Sequence, residues 1–291
     1  MGRKRNSERF TAPTPEDTSA SPAAITPNDI FSFVTPTEFV DLPSKGRFYV
    51  GDSPLEGVDS VEIRHMTAKE EDILTSEALL RKGLALDRML QSLLTDKTLD
   101  LDEFLIGDKN ALVVAARITG FGSDYVTQVT CPSCAAVNEA AFDLEELNLY
   151  HAEIFPEEVE ETETGTFKFT LPTTGVSVEV CLLTSGKEKK LAAAIEKKKK
   201  LNLPDSRSTD LLKAVIISLN GVTDPTMIAR FVDLMPSLDS RHLRQIYEVL
   251  KPDVDMNHDF MCETCSYGGK VVMPLTAEFF WPRARLSSRS L

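Results

Sequence analysis

The order of apolar and polar residues predicts short strands at the start of the folded part and a helix after them. Apolar residues flank the turn Pro43-Ser-Lys-Gly46, in which Pro presets φ and Gly tolerates positive φ. We therefore predict strand, tight turn and strand over residues 39–49, and assign this segment no chemistry. Alternation over residues 58–65 predicts a further strand. Thr67-Ala-Lys-Glu70 is a capping box, and the helix that it opens is expected to end near Gly83.

Apolar residues continue at helical spacing as far as residue 118. We predict a short helix over residues 100–106 and a longer one over 108–118, after an apolar stripe formed by Leu86, Met89, Leu90, Leu93 and Leu94. Aspartates begin both helices, where a negative charge suits the helix dipole. We expect the acidic residues of this region to cap helices or to face solvent, and none of them to form a catalytic pair.

The following segment, residues 145–255, combines an acidic loop, a hairpin and helices. Glutamates crowd residues 157–163, and two alternating runs over 166–171 and 176–182 predict a β-hairpin. Cys181 lies in an apolar run, which indicates a buried small hydrophobe. Helices are predicted over residues 187–201, 209–219, 224–234 and 237–250. The first of these helices is rich in lysine, which fits a solvated face, an acidic partner or nucleic acid.

Two Cys-x-x-Cys pairs contain four of the five cysteines. The first pair is Cys131 and Cys134, the second is Cys262 and Cys265, and each pair stands between two predicted strands. A structural zinc ion takes four thiolates at about 2.3 Å in a tetrahedron, and two such loops supply them. If the pairs share one Zn²⁺, the chain between them is an insertion that splits a zinc ribbon.

Other chemistry remains open for these cysteines. A redox pair usually occurs once and near a βαβ unit, so two pairs argue against it. Two disulfides need an oxidising compartment, and no apolar secretory signal is visible at the N-terminus. A catalytic zinc keeps an open position, which four sulfurs would fill. His258 lies close to the second pair in sequence and could replace one sulfur.

Composition excludes several classes of protein. The hydrophobic content of 42% is ordinary for a globular chain, and no apolar run reaches the roughly 20 residues that cross a bilayer. A formal net charge of −13 opposes non-specific binding to nucleic acid, which depends on neutralising phosphates. The sequence has no nucleophile–base pairing and no Gly-rich phosphate loop. We expect no enzyme activity and no small-molecule substrate.

Three features together resemble the baseplate proteins of contractile-tailed, T4-like bacteriophages. They are Leu42-Pro-Ser-Lys-Gly-Arg-Phe-Tyr49, the two Cys-x-x-Cys pairs separated by a helical insertion, and Phe279-Phe-Trp-Pro282. The resemblance covers roughly residues 38–283. It implies a non-enzymatic hub or wedge component, or a hub assembly factor, with other phage tail proteins as partners. Such a protein would be made in the host cytoplasm and then reside in the tail baseplate of the virion.

The expected fold is α+β and mostly helical, with a small β-rich N-terminal part and a discontinuous zinc ribbon. A basic, Pro-rich start predicts an arm that is disordered or becomes ordered on a partner. The terminal aromatic residues would close a core or anchor in a partner. The alternative function is a zinc-ribbon adaptor in transcription or DNA packaging that binds nucleic acid through residues 187–200 and the basic start. The expected parts are an arm (1–37), a hairpin with helices (38–120), the ribbon (121–144 with 256–283), the insertion (145–255) and a tail (284–291).

Overall fold

The computed structural model describes residues 35–274 and 279–280. Most of the expected arm, Trp281 and the expected tail lie outside these residues. The described part is a mixed α/β structure with eight α-helices and twelve strands in small antiparallel sheets. The helices are α1 (Ala68–Thr75), α2 (Glu77–Arg81), α3 (Ala85–Leu93), α4 (Ile106–Phe121), α5 (Ser185–Lys200), α6 (Arg207–Val215), α7 (Pro225–Leu234) and α8 (Ser237–Leu250).

The strands form one four-stranded sheet and four two-stranded sheets within the described residues. The order in the larger sheet is β6-β7-β8-β9, and the pairs are β1–β2, β3–β4, β5–β10 and β11–β12. The strands are β1 (Thr37–Asp41), β2 (Ser60–Arg64), β3 (Asp124–Thr130), β4 (Val137–Asp143), β5 (Leu149–Tyr150), β6 (Glu160–Glu161), β7 (Phe167–Thr170), β8 (Ser177–Val180), β9 (Ile216–Leu219), β10 (Asp253–Val254), β11 (Asn257–Met261) and β12 (Gly268–Val272).

The predicted strand, turn and strand over residues 39–49 is wrong in its second strand. The partner of β1 is β2, with Val40 opposite Val61, and residues 43–48 form consecutive turns. Gly46 has φ of 70°, and a Cβ there would lie 2.3 Å from the backbone nitrogen of Val58. The turn packs against Gly57 and Val58, and the chain after Gly46 does not pair with β1.

A buried carboxylate fixes this turn to the start of α4. Asp108 accepts hydrogen bonds from Ser44 N at 2.9 Å, Ser44 Oγ at 2.6 Å and the Tyr49 hydroxyl at 2.6 Å. The Tyr49 oxygen in turn accepts from Leu105 N at 2.8 Å. Asp108 is 0% exposed, and burial raises its pKa in spite of these hydrogen bonds. The expectation that the acidic residues here only cap helices or face solvent is therefore wrong for Asp108.

The capping box at the start of α1 is confirmed, and it belongs to a larger polar cluster. The Glu70 carboxylate accepts from both terminal nitrogens of Arg64, from Thr67 N and from Ser92 Oγ, at 2.6–3.0 Å. The single helix predicted as far as Gly83 is interrupted at Ser76 and continues as α2. Burial raises the pKa of Glu70, but these hydrogen bonds outweigh burial and lower it to about 2.

Acid is expected to weaken this cluster in a defined range of pH. The pKa of Glu70 is lowered from 4.5 to about 2, so its contribution is complete above about pH 4.5 and is lost as the pH falls through 2. Glu70→Gln should lower the free energy of unfolding by about 2 kcal/mol at pH 7. The difference from wild type should shrink towards pH 2, because the native carboxyl is then protonated. Urea unfolding at several pH values measures this, with the exposed Glu71→Gln as control. A difference independent of pH would contradict it.

The two ends of residues 145–255 lie side by side as a pair of short strands. β5 pairs with β10 in antiparallel register, with Tyr150 opposite Asp253, and Asp255 N donates to Asn148 O at 2.8 Å. The predicted hairpin is confirmed as β7 and β8. Residues 216–219, predicted as the end of a helix, form β9 instead, because this Ile-rich run pairs with the free edge of β8.

This segment packs against the first helices. Ser185 N donates to Phe104 O at 2.7 Å, and Lys189 forms ion pairs with Asp87 and Asp102. Pro36 and the described residues after it form one compact unit. No helix in the described part of the chain has the length and apolar character needed to cross a membrane.

The aromatic residues near the C-terminus close a core. Phe279 is 1% exposed and packs edge-on against Tyr125, with ring centroids 5.0 Å apart. Phe280 is also buried and packs against Phe121. The Arg117 guanidinium lies over the rings of Phe121 and Phe279. The expectation that the terminal aromatic residues close a core is therefore correct for Phe279 and Phe280. Because both are buried, neither is available as an anchor for a partner.

Candidate metal centre

Two hairpins carry the four cysteines of the Cys-x-x-Cys pairs. β3 and β4 flank Cys131 and Cys134, and β11 and β12 flank Cys262 and Cys265. The predicted order of strand, cysteine loop and strand is therefore confirmed at both places. Each strand alternates between buried and exposed residues, so one face of each hairpin packs on the core and the loop projects from its end.

The two cysteine loops have the same backbone conformation. Cys131 N donates to Ala136 O at 2.8 Å and Ala135 N donates to Cys131 O at 2.9 Å. In the second loop Cys262 N donates to Tyr267 O at 2.9 Å and Ser266 N donates to Cys262 O at 3.0 Å. Ala135 and Ser266, each directly after the second cysteine of its pair, have positive φ values of 59° and 57°. The two loops thus present their sulfurs in equivalent ways.

The four sulfur atoms have the spacing of a tetrahedral metal site. All four lie within 4.8 Å of one another. The Cys131–Cys265 and Cys134–Cys262 Sγ–Sγ distances, which join the two loops, are 3.8 and 3.7 Å. A metal–sulfur bond of about 2.3 Å in a regular tetrahedron requires sulfurs about 3.8 Å apart. The residues present therefore fit a metal ion, and four protein sulfurs would complete its coordination.

The structure contains no disulfide bond between these residues. All four are free cysteines, and the two distances that join the loops far exceed the about 2.05 Å of a disulfide bond. Cys131 and Cys262 are buried, whereas Cys134 and Cys265 are exposed. The cluster therefore lies at the surface of the protein with one sulfur of each pair turned inward.

The N–H of Ala136 lowers the pKa of Cys134, but hydrogen bonds with neighbouring thiols and burial outweigh it and raise that pKa, whereas the pKa of Cys262 is lowered. The N–H of Cys265 and then that of Thr264 lower the pKa of the Cys262 thiol to about 6. Since a metal ion binds the thiolate and not the thiol, this lowers the cost of deprotonation at one ligand.

Asn138 joins the two loops and was not anticipated from the sequence. Its Oδ1 accepts from Glu263 N at 3.0 Å, and its Nδ2 lies 3.6 Å from Cys262 Sγ and 3.1 Å from Ala136 O. The side chain is buried, although Asn138 belongs to the hairpin of the first pair. Gly269 holds the corresponding position after the second pair. The only signal in the sequence was an Asn at an inward position of an alternating strand.

His258 and Cys181 stand apart from the cluster. The His258 ring packs edge-on against Phe142, with centroids 4.8 Å apart, and this histidine does not belong to the metal-ligand group among the described residues. Cys181 is half-buried and not fully buried as predicted, and Lys187 Nζ lies 3.3 Å from its sulfur. Neither residue replaces a cysteine of the cluster.

Removing the Asn138 side chain should weaken metal binding without abolishing it. Asn138→Ala deletes an amide that orients Cys262 and the loop behind it, and such changes around a metal typically cost about 10- to 100-fold in affinity. Competition between the protein and a chromophoric chelator for Co²⁺ or Zn²⁺ measures the loss. Gly269→Ala is not a suitable control, because its Cβ would lie 2.6 Å from the Tyr267 hydroxyl oxygen. The exposed Glu139→Ala on the same strand serves instead, and equal affinity in both variants would contradict the prediction.

The fold and the site define a mixed α/β protein in which four cysteines, distant in sequence, join two hairpins. The chain matches the protein family described as T4 bacteriophage base plate protein over residues 35–281, which is most of its length. It belongs to that family. Membership supports a structural or assembly role in a phage baseplate and contacts with other tail proteins. No curated protein and no solved structure matches the chain.

Proposed function

We propose that this protein is a non-enzymatic hub or wedge component of a contractile phage tail baseplate, or a factor that assembles the hub. It acts through protein–protein contacts. The match of residues 35–281 to the baseplate family carries the proposal. The protein would be made in the host cytoplasm and join the tail of the virion. We include in this proposal the division of the chain that the sequence predicts, which begins with an arm over residues 1–37 and ends with a tail over residues 284–291.

We also propose that Cys131, Cys134, Cys262 and Cys265 bind one structural Zn²⁺. Four thiolates in a tetrahedron suit zinc or iron, and zinc is the ion that such sites use for structure alone. The 3.7 and 3.8 Å distances between sulfurs of opposite loops support this assignment. The ion would join the start and the end of a long insertion, so its binding free energy would add to the free energy of folding.

A role as a nucleic-acid adaptor is the weaker candidate. The net charge of −13 repels phosphates. Part of the lysine-rich helix is already neutralised, because Lys189 pairs with Asp87 and Lys198 with Asp210. Retention on DNA that falls steeply with added salt would favour this candidate.

A tagged pull-down from cells in which phage tails assemble tests the proposed function. Partners are identified by mass spectrometry after nuclease treatment, in parallel with purified mature tails. Tail and baseplate chains that survive nuclease would support the proposal. The presence of the protein in mature tails would indicate a resident component, and its absence an assembly factor. Partners limited to polymerase or packaging subunits, or lost with nuclease, would overturn it.

A further inference from the structure

Two exposed patches of opposite charge lie on the inserted segment. The acidic patch is residues 154–163, which include Glu157, Glu160 and Glu163 with no ion-pair partner among the described residues. The basic patch is residues 195–210, at the end of α5 and the start of α6, where Lys197 and Lys199 also have no ion-pair partner in the described part of the chain. Each patch therefore retains charge that the described part of the chain does not neutralise.

The basic patch surrounds a groove with an apolar floor. The groove has a volume of about 420 Å³ and lies between α5 and the first turn of α6. Ile195, Leu203 and Pro204 line it, and Leu203 is 51% exposed. Asp205 and Asp210 neutralise Arg207 and Lys198 on its rim. The groove thus offers an apolar cleft beside unpaired lysines.

The acidic patch carries a side chain of suitable character for such a groove. Ile154 is 84% exposed, which is the largest exposed fraction among the exposed large hydrophobic residues of the described structure. Glu157 and Glu158 follow it three and four positions later in the sequence and are also exposed. An apolar residue beside charges is the arrangement of a protein interface, with a desolvated centre and a polar rim.

The two patches are connected to opposite edges of one sheet. β6, which is part of the acidic patch, is one edge strand of the order β6-β7-β8-β9, and α6 leads directly into β9 at the other edge. Three strand spacings of about 4.8 Å separate these edges. No ion pair joins the two patches within the described chain. Because the two patches do not pair with each other within one described chain, their charges are free to pair between two molecules.

We propose that the acidic patch of one molecule docks on the basic patch of a second copy of this chain. Ile154 enters the groove between α5 and α6, and the free glutamates face Lys197 and Lys199. The two surfaces differ, so the contact is head-to-tail and generates a closed ring or an open filament. Nucleic acid fits the observations less well, since it would leave the acidic patch and Ile154 without a role. This inference does not depend on the baseplate role.

Sedimentation of the purified full chain over a range of concentrations tests the proposal. Wild type should associate at about 50 mM salt and dissociate towards about 500 mM, because salt screens exposed charges. Lys197→Glu with Lys199→Glu, and separately Glu157→Lys with Glu163→Lys, should each weaken association at least about tenfold. An equimolar mixture of the two variants, and a chain that carries all four changes, should associate again.

Matched controls separate docking from damage to the fold. Ile154→Ser should weaken association, whereas Leu234→Ser, at another exposed apolar position that is 73% exposed on α7, should not. All changed side chains are exposed, so thermal melting should stay close to wild type, with only a small loss where Lys197→Glu and Lys199→Glu remove cations from the last turn of α5. A wild type that stays monomeric at low salt would overturn the proposal. So would association that survives both charge reversals, or that the fourfold variant fails to restore.

Discussion

Cys131→Ser or Cys262→Ser is expected to leave most of the protein insoluble. Each change removes one buried sulfur of the cluster and leaves only three of the four sulfurs that a tetrahedral Zn²⁺ would need. Loss of a structural metal should cost about 5 kcal/mol or more. The whole stability of a typical domain is only about 5–15 kcal/mol. The measurements are the soluble fraction after expression and the thermal melting of whatever remains soluble.

Cys181→Ser is the matched control for these two variants. Cys181 is a free, half-buried cysteine whose sulfur contacts Lys187 and lies outside the cluster, so its replacement should leave solubility and melting close to wild type. A chelator should reproduce the effect of the cluster variants on the wild-type protein, and Zn²⁺ should reverse it. Full solubility with unchanged melting in Cys131→Ser and Cys262→Ser would exclude a structural metal.

Asp108→Ala is expected to lower the free energy of unfolding by about 4 kcal/mol. The change leaves three buried donors without their acceptor, and these are Ser44 N, the Ser44 hydroxyl and the Tyr49 hydroxyl. Each unsatisfied buried donor costs about 1–3 kcal/mol. The loss should be larger than that of Tyr49→Phe, which removes one donor to Asp108 and the acceptor for Leu105 N.

Urea unfolding of the purified variants measures these losses. Asp52→Ala is the control, because Asp52 lies in an exposed bend and has neither a hydrogen bond nor an ion pair in the described structure. Asp108→Asn should fall between Asp108→Ala and wild type, since its amide oxygen accepts hydrogen bonds but its NH₂ group does not. An Asp108→Ala variant as stable as Asp52→Ala would mean that the buried network contributes nothing net.

The features that the sequence predicted correctly depend on short stretches of chain. The two cysteine loops with their flanking strands, the capping box at Thr67 and the hairpin of β7 and β8 each lie within about ten to twenty neighbouring residues. The turn at Pro43–Gly46 was recognised for the same reason. Local turn chemistry and alternation are enough to predict such elements.

The errors arise where distant residues decide the structure. The turn at Gly46 folds against Gly57 and Val58, so β1 pairs with β2 and not with the residues that follow the turn. Asp108 is buried because Ser44, 64 positions earlier, reaches it. Residues 216–219 continue an apolar run at helical spacing, yet the edge of β8 selects a strand. No pattern within a single window of sequence contains these partners.

The same limit applies to the candidate metal centre. The spacing within each pair identified Cys131, Cys134, Cys262 and Cys265 as one set, and the structure brings their sulfurs within 4.8 Å. Asn138 was missed because its function depends on Glu263, 125 positions away. The sequence indicates that the ends of the insertion meet only if the two cysteine pairs share an ion. It contains no separate signal for the pairing of β5 with β10.

Metal analysis of the native protein tests directly whether the four cysteines bind one structural Zn²⁺. The protein would be purified without added metal or chelator, its zinc and iron quantified per chain by mass spectrometry, and its free thiols titrated before and after denaturation in chelator. We expect about one zinc per chain, four thiols that react only after the metal is removed, and unfolding on removal. A folded, soluble protein with no bound metal and five freely reactive thiols would contradict this expectation.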